Sequence, residues 1–157
     1  MSDRWDRAFL RQALDWSAMS KDPNTRVGAI IVGPDRETRS TGFNGFPRGI
    51  SDTDERLANR DLKLRLVVHA ERNAICNAAR IGVSTKGCTL YLCATDNTGL
   101  VWGGPPCTAC LLEVIQAGII SIVSYPFKAV PSRWAEDIAF SRTLIDEVGI
   151  SYREVEV

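Results

Sequence analysis

A chain of 157 residues with 45% hydrophobic content has the size of one ordinary globular domain, spanning 1–157, with a core large enough to fold without covalent staples. Nineteen Lys and Arg balance nineteen Asp and Glu, which withholds the overall positive field that would pull in a nucleic-acid backbone and favours a small substrate. The charged opening stretch MSDRWDRAFL lacks the apolar centre of a signal peptide, and no run approaches the roughly 20 apolar residues of a membrane span. A cytoplasmic location is therefore expected, where the odd set of five cysteines reads as metal ligands and buried thiols, not disulfides.

Taken in chain order, Trp5, Phe9, Ala13 and Trp16 recur at helical spacing and predict an amphipathic helix that ends by Asp22-Pro23. Val27 to Val32 is a continuous apolar run closed by Gly33-Pro34, the pattern of a strand covered on both faces, and a second strand is expected from Ser40 to Phe43. Gly, Pro, Asn, Asp and Arg crowd the stretch from Asn44 to Asp61, which predicts a long, mostly irregular excursion. His69 to Arg80 reads as a helix with Gly82 just beyond its end, and Thr89 to Ala94 as a strand. A Gly/Pro-rich loop from Asp96 to Pro106 leads into a helix from Cys107 to Gln116, stopped at Gly118, and then a strand from Ile119 to Tyr125. Trp134, Ile138, Ser141, Ile145 and Val148 again step at helical spacing, ahead of a short final strand from Ser151 to Val155. This order predicts an α/β layered domain in which helices cover a central sheet of about five strands.

Two motifs carry chemistry. His69-Ala70-Glu71 opens one predicted helix and Pro106-Cys107-Thr108-Ala109-Cys110 opens another, which together form the H-x-E and P-C-x-x-C signature of zinc-dependent base deaminases. Zinc accepts imidazole nitrogen and thiolate sulfur, and a catalytic site takes three protein ligands plus water, a demand that His69, Cys107 and Cys110 fill. A helix start stabilises thiolate charge, and Glu71, two residues after the histidine, faces the water and shuttles protons without ligating the ion. Taken singly, the C-x-x-C also reads as a redox pair and His69 as a structural residue. Jointly they point to one zinc per chain, and His69 is the single histidine present. Cys76, Cys88 and Cys93 lie within predicted helix or strand and read as small core residues.

Along most of its length the sequence resembles the deoxycytidylate deaminases of the cytidine deaminase superfamily. The resemblance rests on Ser20-Lys21-Asp22-Pro23-Asn24, Val27-Gly28-Ala29, Gly42 to Gly49, His69 to Ile75 and the run from Cys107 to Ile119. It implies the three-layer cytidine deaminase-like fold with a mixed sheet, and hydrolysis of dCMP to dUMP and ammonia, a reaction that supplies dUMP for thymidylate synthesis. By the same resemblance Asn44 contacts the sugar or base and the backbone N–H of Ala70 holds the ring carbonyl; Asn44 also reads as a turn residue beside Gly45. Lys21, Arg26 and Arg48 flank the matching segments as candidate phosphate donors, and each reads equally as a solvated surface charge. Two departures stand out: DNTGLVWGG, from Asp96 to Gly104, is inserted ahead of the Pro-Cys turn and brings Trp102 to the pocket mouth, and no further His or Cys lies between Asn44 and Val68 for a second zinc.

The same chemistry serves adenosine deaminases acting on transfer RNA, though a neutral chain lacks the basic surface that substrate favours. Deaminases of cytidine, cytosine, 5-substituted dCMP or a riboflavin-pathway intermediate also stay open. A non-catalytic zinc module is a rival from another class, and the presence of Glu71 argues against it. The resemblance further implies a homo-oligomer, a hexamer, with dCTP and dTTP as effectors. The charged stretch from Gly45 to Asp61 is the expected triphosphate site, and alternatively a solvated loop.

Overall fold

The computed structural model describes residues 3–127 and 132–157, so Met1 and Ser2 of the charged opening stretch lie outside the described residues. In chain order the elements are α1 (Asp3–Ser17), β1 (Thr25–Val32), β2 (Thr38–Phe43), α2 (Asp54–Ala58), α3 (Arg60–Leu66), α4 (Ala70–Ile81), β3 (Thr89–Asp96), β4 (Val101–Trp102), α5 (Thr108–Gln116), β5 (Ser121–Ser124), α6 (Ser132–Val148) and β6 (Ser151–Glu154). The mixed sheet runs β2-β1-β3-β5-β6, with β4 paired to β3 off this path. β1 is antiparallel to both neighbours, whereas β3, β5 and β6 are mutually parallel. Helices α5 and α6 supply the crossovers that parallel pairing demands.

Strand alternation splits the apolar residues between two cores, because successive side chains point to opposite faces of a sheet. Ala29, Ile31, Leu90, Leu92 and Ile122 pack with Ala74 of α4, Leu111 of α5 and Ile145 of α6. Their neighbours Ile30, Val32, Tyr91, Cys93 and Val123 pack with Phe9, Leu10 and Ala13 of α1. A three-layer arrangement results, with α1 on one side of the sheet and α4, α5 and α6 on the other, in accord with the expected fold class.

Four local expectations are revised. The buried stripe of α1 is Asp6, Phe9, Leu10, Ala13 and Ser17, while Trp5 and Trp16 are each 38% exposed. A Cβ on Gly28 would collide with the carbonyl oxygen of Ala13, so α1 lies too close to β1 to admit an indole. The two tryptophans instead flank the stripe, stacked on Phe9 and Phe43. The excursion after Asn44 holds two short helices, each opened by a side-chain cap: Thr53 accepts the N–H of Arg56 and Asn59 that of Leu62. Within the expected loop after Asp96, the Asp96 carboxylate accepts N–H bonds from Thr98 and Leu100, and Gly99 takes a left-handed φ of 84°, which closes a turn and makes β4 a sixth strand. Cys76 is exposed on α4, whereas Cys88 and Cys93 are buried as expected, and burial pushes the Cys93 thiol up to about 12.

Candidate active site

His69 and Cys107 each occupy the residue just before a helix, with extended backbone angles, and neither spends its side chain on capping. A Ser, Thr or Asp at such a position would turn its oxygen back to the helix N–H groups; here the imidazole and the sulfur stay available. Cys110, one helical turn after Cys107, lies on the same face of α5. The Nδ1 atom of His69 is 3.5 Å from the Cys107 sulfur and 3.3 Å from that of Cys110, and the three donor atoms lie within 4.8 Å of one another. Tetrahedral zinc with bonds of about 2.0 Å to nitrogen and 2.3 Å to sulfur spaces N and S by about 3.6 Å, so the set fits zinc with little adjustment. Among the described residues this is the one such cluster.

The three donor groups are electrostatically coupled to one another. The Cys107 thiol is pushed down to about 4, first because the Cys110 thiol donates to it and further because His69 stands beside it. Cys110 is correspondingly raised, as it keeps the proton the pair shares. The His69 imidazole is raised mainly by its bond to Cys107. Glu71, in the first turn of α4, is only 6% exposed, and burial holds its carboxyl above the usual range.

Contacts remote from the motifs fix this geometry. The Asp137 carboxylate of α6 accepts the N–H of Thr108 at 2.9 Å, placing negative charge at the start of α5. Ser141, fully buried, donates to the carbonyl of Pro106 at 2.7 Å. Arg72 and Glu113 form a two-pronged ion pair that ties α4 to α5. Ahead of α4, Gly45 and Val68 exchange backbone bonds, and Asn73 donates to the carbonyl of Phe43, so His69 is held against the end of β2. Sequence alone gives none of these contacts; the signal for Ser141 is a polar residue inside a predicted apolar stripe.

A cleft of about 790 Å³ opens over the cluster. His69, Glu71, Cys107, Asn44 and Trp102 line it, so the inserted stretch does reach the pocket mouth. Ala70 is fully buried at the first position of α4, where helix geometry leaves its N–H without an intrahelical partner. Asn44 works chiefly as a bracket: its Oδ1 accepts the N–H of Val27 at 2.7 Å and its Nδ2 donates to the carbonyl of Thr25 at 2.9 Å. Lys21, Arg26 and Arg48 are not among the cleft-lining residues. Lys21 pairs with Asp52 at 3.0 Å, Arg48 donates to Asn77 at 2.7 Å, and Arg26 reaches the carbonyl of Asp22 at 3.4 Å. The basic residues lining the cleft are Arg60 and Lys63 of α3.

Residues 3–125 match the family model of the cytidine and deoxycytidylate deaminase zinc-binding region. The chain is 36% identical over 155 residues to an uncharacterized deaminase of Aliivibrio fischeri, covering 96% of this chain and 92% of that protein. It is 32% identical over 155 residues to the human deoxycytidylate deaminase, covering 96% of this chain and 79% of that enzyme. In three dimensions it superposes on a cyanophage S-TIM5 dCMP deaminase, solved in complex with dCMP and dUMP, with a TM-score of 0.74 at 22% identity over 99% of both chains. The match over residues 3–125, which contains the whole His-Cys-Cys cluster, and the likeness to the human enzyme along most of both chains show that this chain belongs to the cytidine and deoxycytidylate deaminase family of zinc enzymes.

Proposed function

We propose that this chain hydrolyses dCMP to dUMP and ammonia, with His69, Cys107 and Cys110 as zinc ligands and Glu71 as proton carrier. The observation that carries the reading is the convergence of the three donor atoms within 4.8 Å of one another in a cleft whose wall also holds the buried Glu71. When bound, zinc with an open coordination position lowers the pKa of its water to about 7 and supplies a nucleophile at neutral pH. Glu71 takes a proton from the attacking water, passes it to ring nitrogen 3, and helps protonate the departing amino group. Carbon 4 keeps the water's oxygen as a carbonyl and its bond to the amino nitrogen breaks, releasing ammonia. The N–H of Ala70 holds the ring carbonyl. Asn44 faces the sugar with the amide proton and carbonyl lone pair that its brackets to β1 leave over.

The relatives' activity, the balanced charge and the phosphate of dCMP favour this substrate over deoxycytidine or RNA. The reading is tested by ammonia release from nucleobases, nucleosides and nucleotides. The expected result is the highest kcat/KM for dCMP; comparable values for deoxycytidine and dCMP would overturn it. One domain in the cytoplasm, with its five cysteines free, completes the proposal. For assembly we hold to a homo-hexamer responsive to dCTP and dTTP, supported by exposed Leu112, Ile120 and Phe140 and by the charged stretch around α2. Light scattering with dCMP saturation curves checks it: a monomer with hyperbolic kinetics unmoved by either triphosphate rules it out.

A further inference from the structure

A dCMP phosphate carries close to two negative charges at neutral pH and requires a cation in the cleft. The three cations nearest the family-like segments do not line it, and each already has a polar partner. Of the two that do, Lys63 is 7% exposed and spends its charge on Asp22, at 3.0 and 3.1 Å to the two carboxylate oxygens. Asp22 is itself held in place by the N–H groups of Asn24 and Thr25, so this pair belongs to the wall. Asp96, another cleft-lining acid, has its Oδ1 committed to the β3–β4 turn. Arg60 differs. Its side chain is exposed to the cleft, and its guanidinium has no ion-pair partner among the described residues. It opens α3, whose position is fixed by the Asn59 cap at one end and by the Lys63–Asp22 pair in the middle.

We infer that Arg60 is the phosphate-reading residue of this site, its planar fork gripping the substrate's phosphate while the Lys63–Asp22 pair pins the helix that presents it. The inference rests on the nucleotide reading above. It is specific to α3, an element whose cations stood outside the segments that carry the family resemblance.

Calorimetric binding of dUMP and of deoxyuridine to the zinc-loaded protein, its Arg60→Ala and its Arg60→Lys variants separates the two ideas. Wild-type protein is expected to prefer dUMP by about 100-fold or more. Arg60→Ala should lose most of that preference and Arg60→Lys recover part of it, since a point charge replaces the fork but not its geometry. In turnover, the same loss appears as a rise in KM for dCMP with a smaller change in kcat. A wild-type preference that survives intact in Arg60→Ala overturns the assignment to Arg60 and leaves the nucleotide reading standing. Equal wild-type affinity for dUMP and deoxyuridine overturns the nucleotide reading and the role of Arg60 together.

Discussion

In the proposed mechanism His69 and Glu71, two residues apart, take two separate roles. His69 ends an extended segment and turns its ring to the metal position, whereas Glu71, one step into α4, is buried in the cleft and stands outside the donor set. Glu71→Gln keeps the shape and removes the exchangeable proton, so it is predicted to retain fold and zinc while kcat falls by about 10³-fold. Cys107→Ala is predicted to lose the metal instead. Zinc content and single-turnover rates on both variants check this pair; a Glu71→Gln protein that turns over substantially would refute the proton-carrier role. The proposed ligands stand out in the sequence because H-x-E and P-C-x-x-C specify donors and spacing at once. The proposed phosphate cation does not, because Arg60 falls in the charged stretch that reads as an effector site or a solvated loop, and its placement at the cleft depends on two short helices.

Helix starts are the elements that build the site, and what holds them comes from elsewhere in the fold. α5 begins at Thr108 with Asp137 of α6 accepting its N–H, and Ser141 of α6 grips Pro106 two residues earlier. Asp137→Ala should cost about 1 kcal/mol of stability through the lost cap and weaken zinc binding by about 10-fold, as removal of an orienting partner does. Competition with a chelator of known affinity measures the second effect, and an unchanged zinc affinity would show that α5 needs no such support. Long elements with clear periodicity, such as α1 and α6, were readable from spacing, though the face of α1 turned out rotated because Gly28 brings β1 against Ala13. Short elements were hidden. The caps Thr53 and Asn59 and the Asp96–Gly99 turn were present as signals, but a density of Gly, Pro and Asn reads as loop when no periodicity follows.

At the scale of the whole molecule, the first helix is tied to the last strand across β3. Asp6 of α1 is fully buried and accepts bonds from Tyr91 of β3 at 2.8 Å and from the Arg153 guanidinium of β6 at 2.8 and 2.9 Å. Asp6→Ala leaves the Tyr91 hydroxyl and the Arg153 charge without that partner, which should cost about 2–3 kcal/mol, reduced from the usual buried-pair loss because Arg153 is partly exposed. The thermal midpoint should fall by several degrees while zinc content stays at wild-type level, since the network packs on the face of the sheet opposite α4 and α5. Neither Asp6 nor Arg153 was recognisable in advance: a pairing between residues 147 positions apart leaves no local pattern. The central claim, a zinc-dependent dCMP deaminase with one metal per chain, meets its most direct test when metal-stripped protein is titrated with zinc and ammonia release from dCMP is followed. Turnover should rise from zero and level off at one zinc per chain; turnover without zinc, a plateau at two, or no turnover at full occupancy would contradict it.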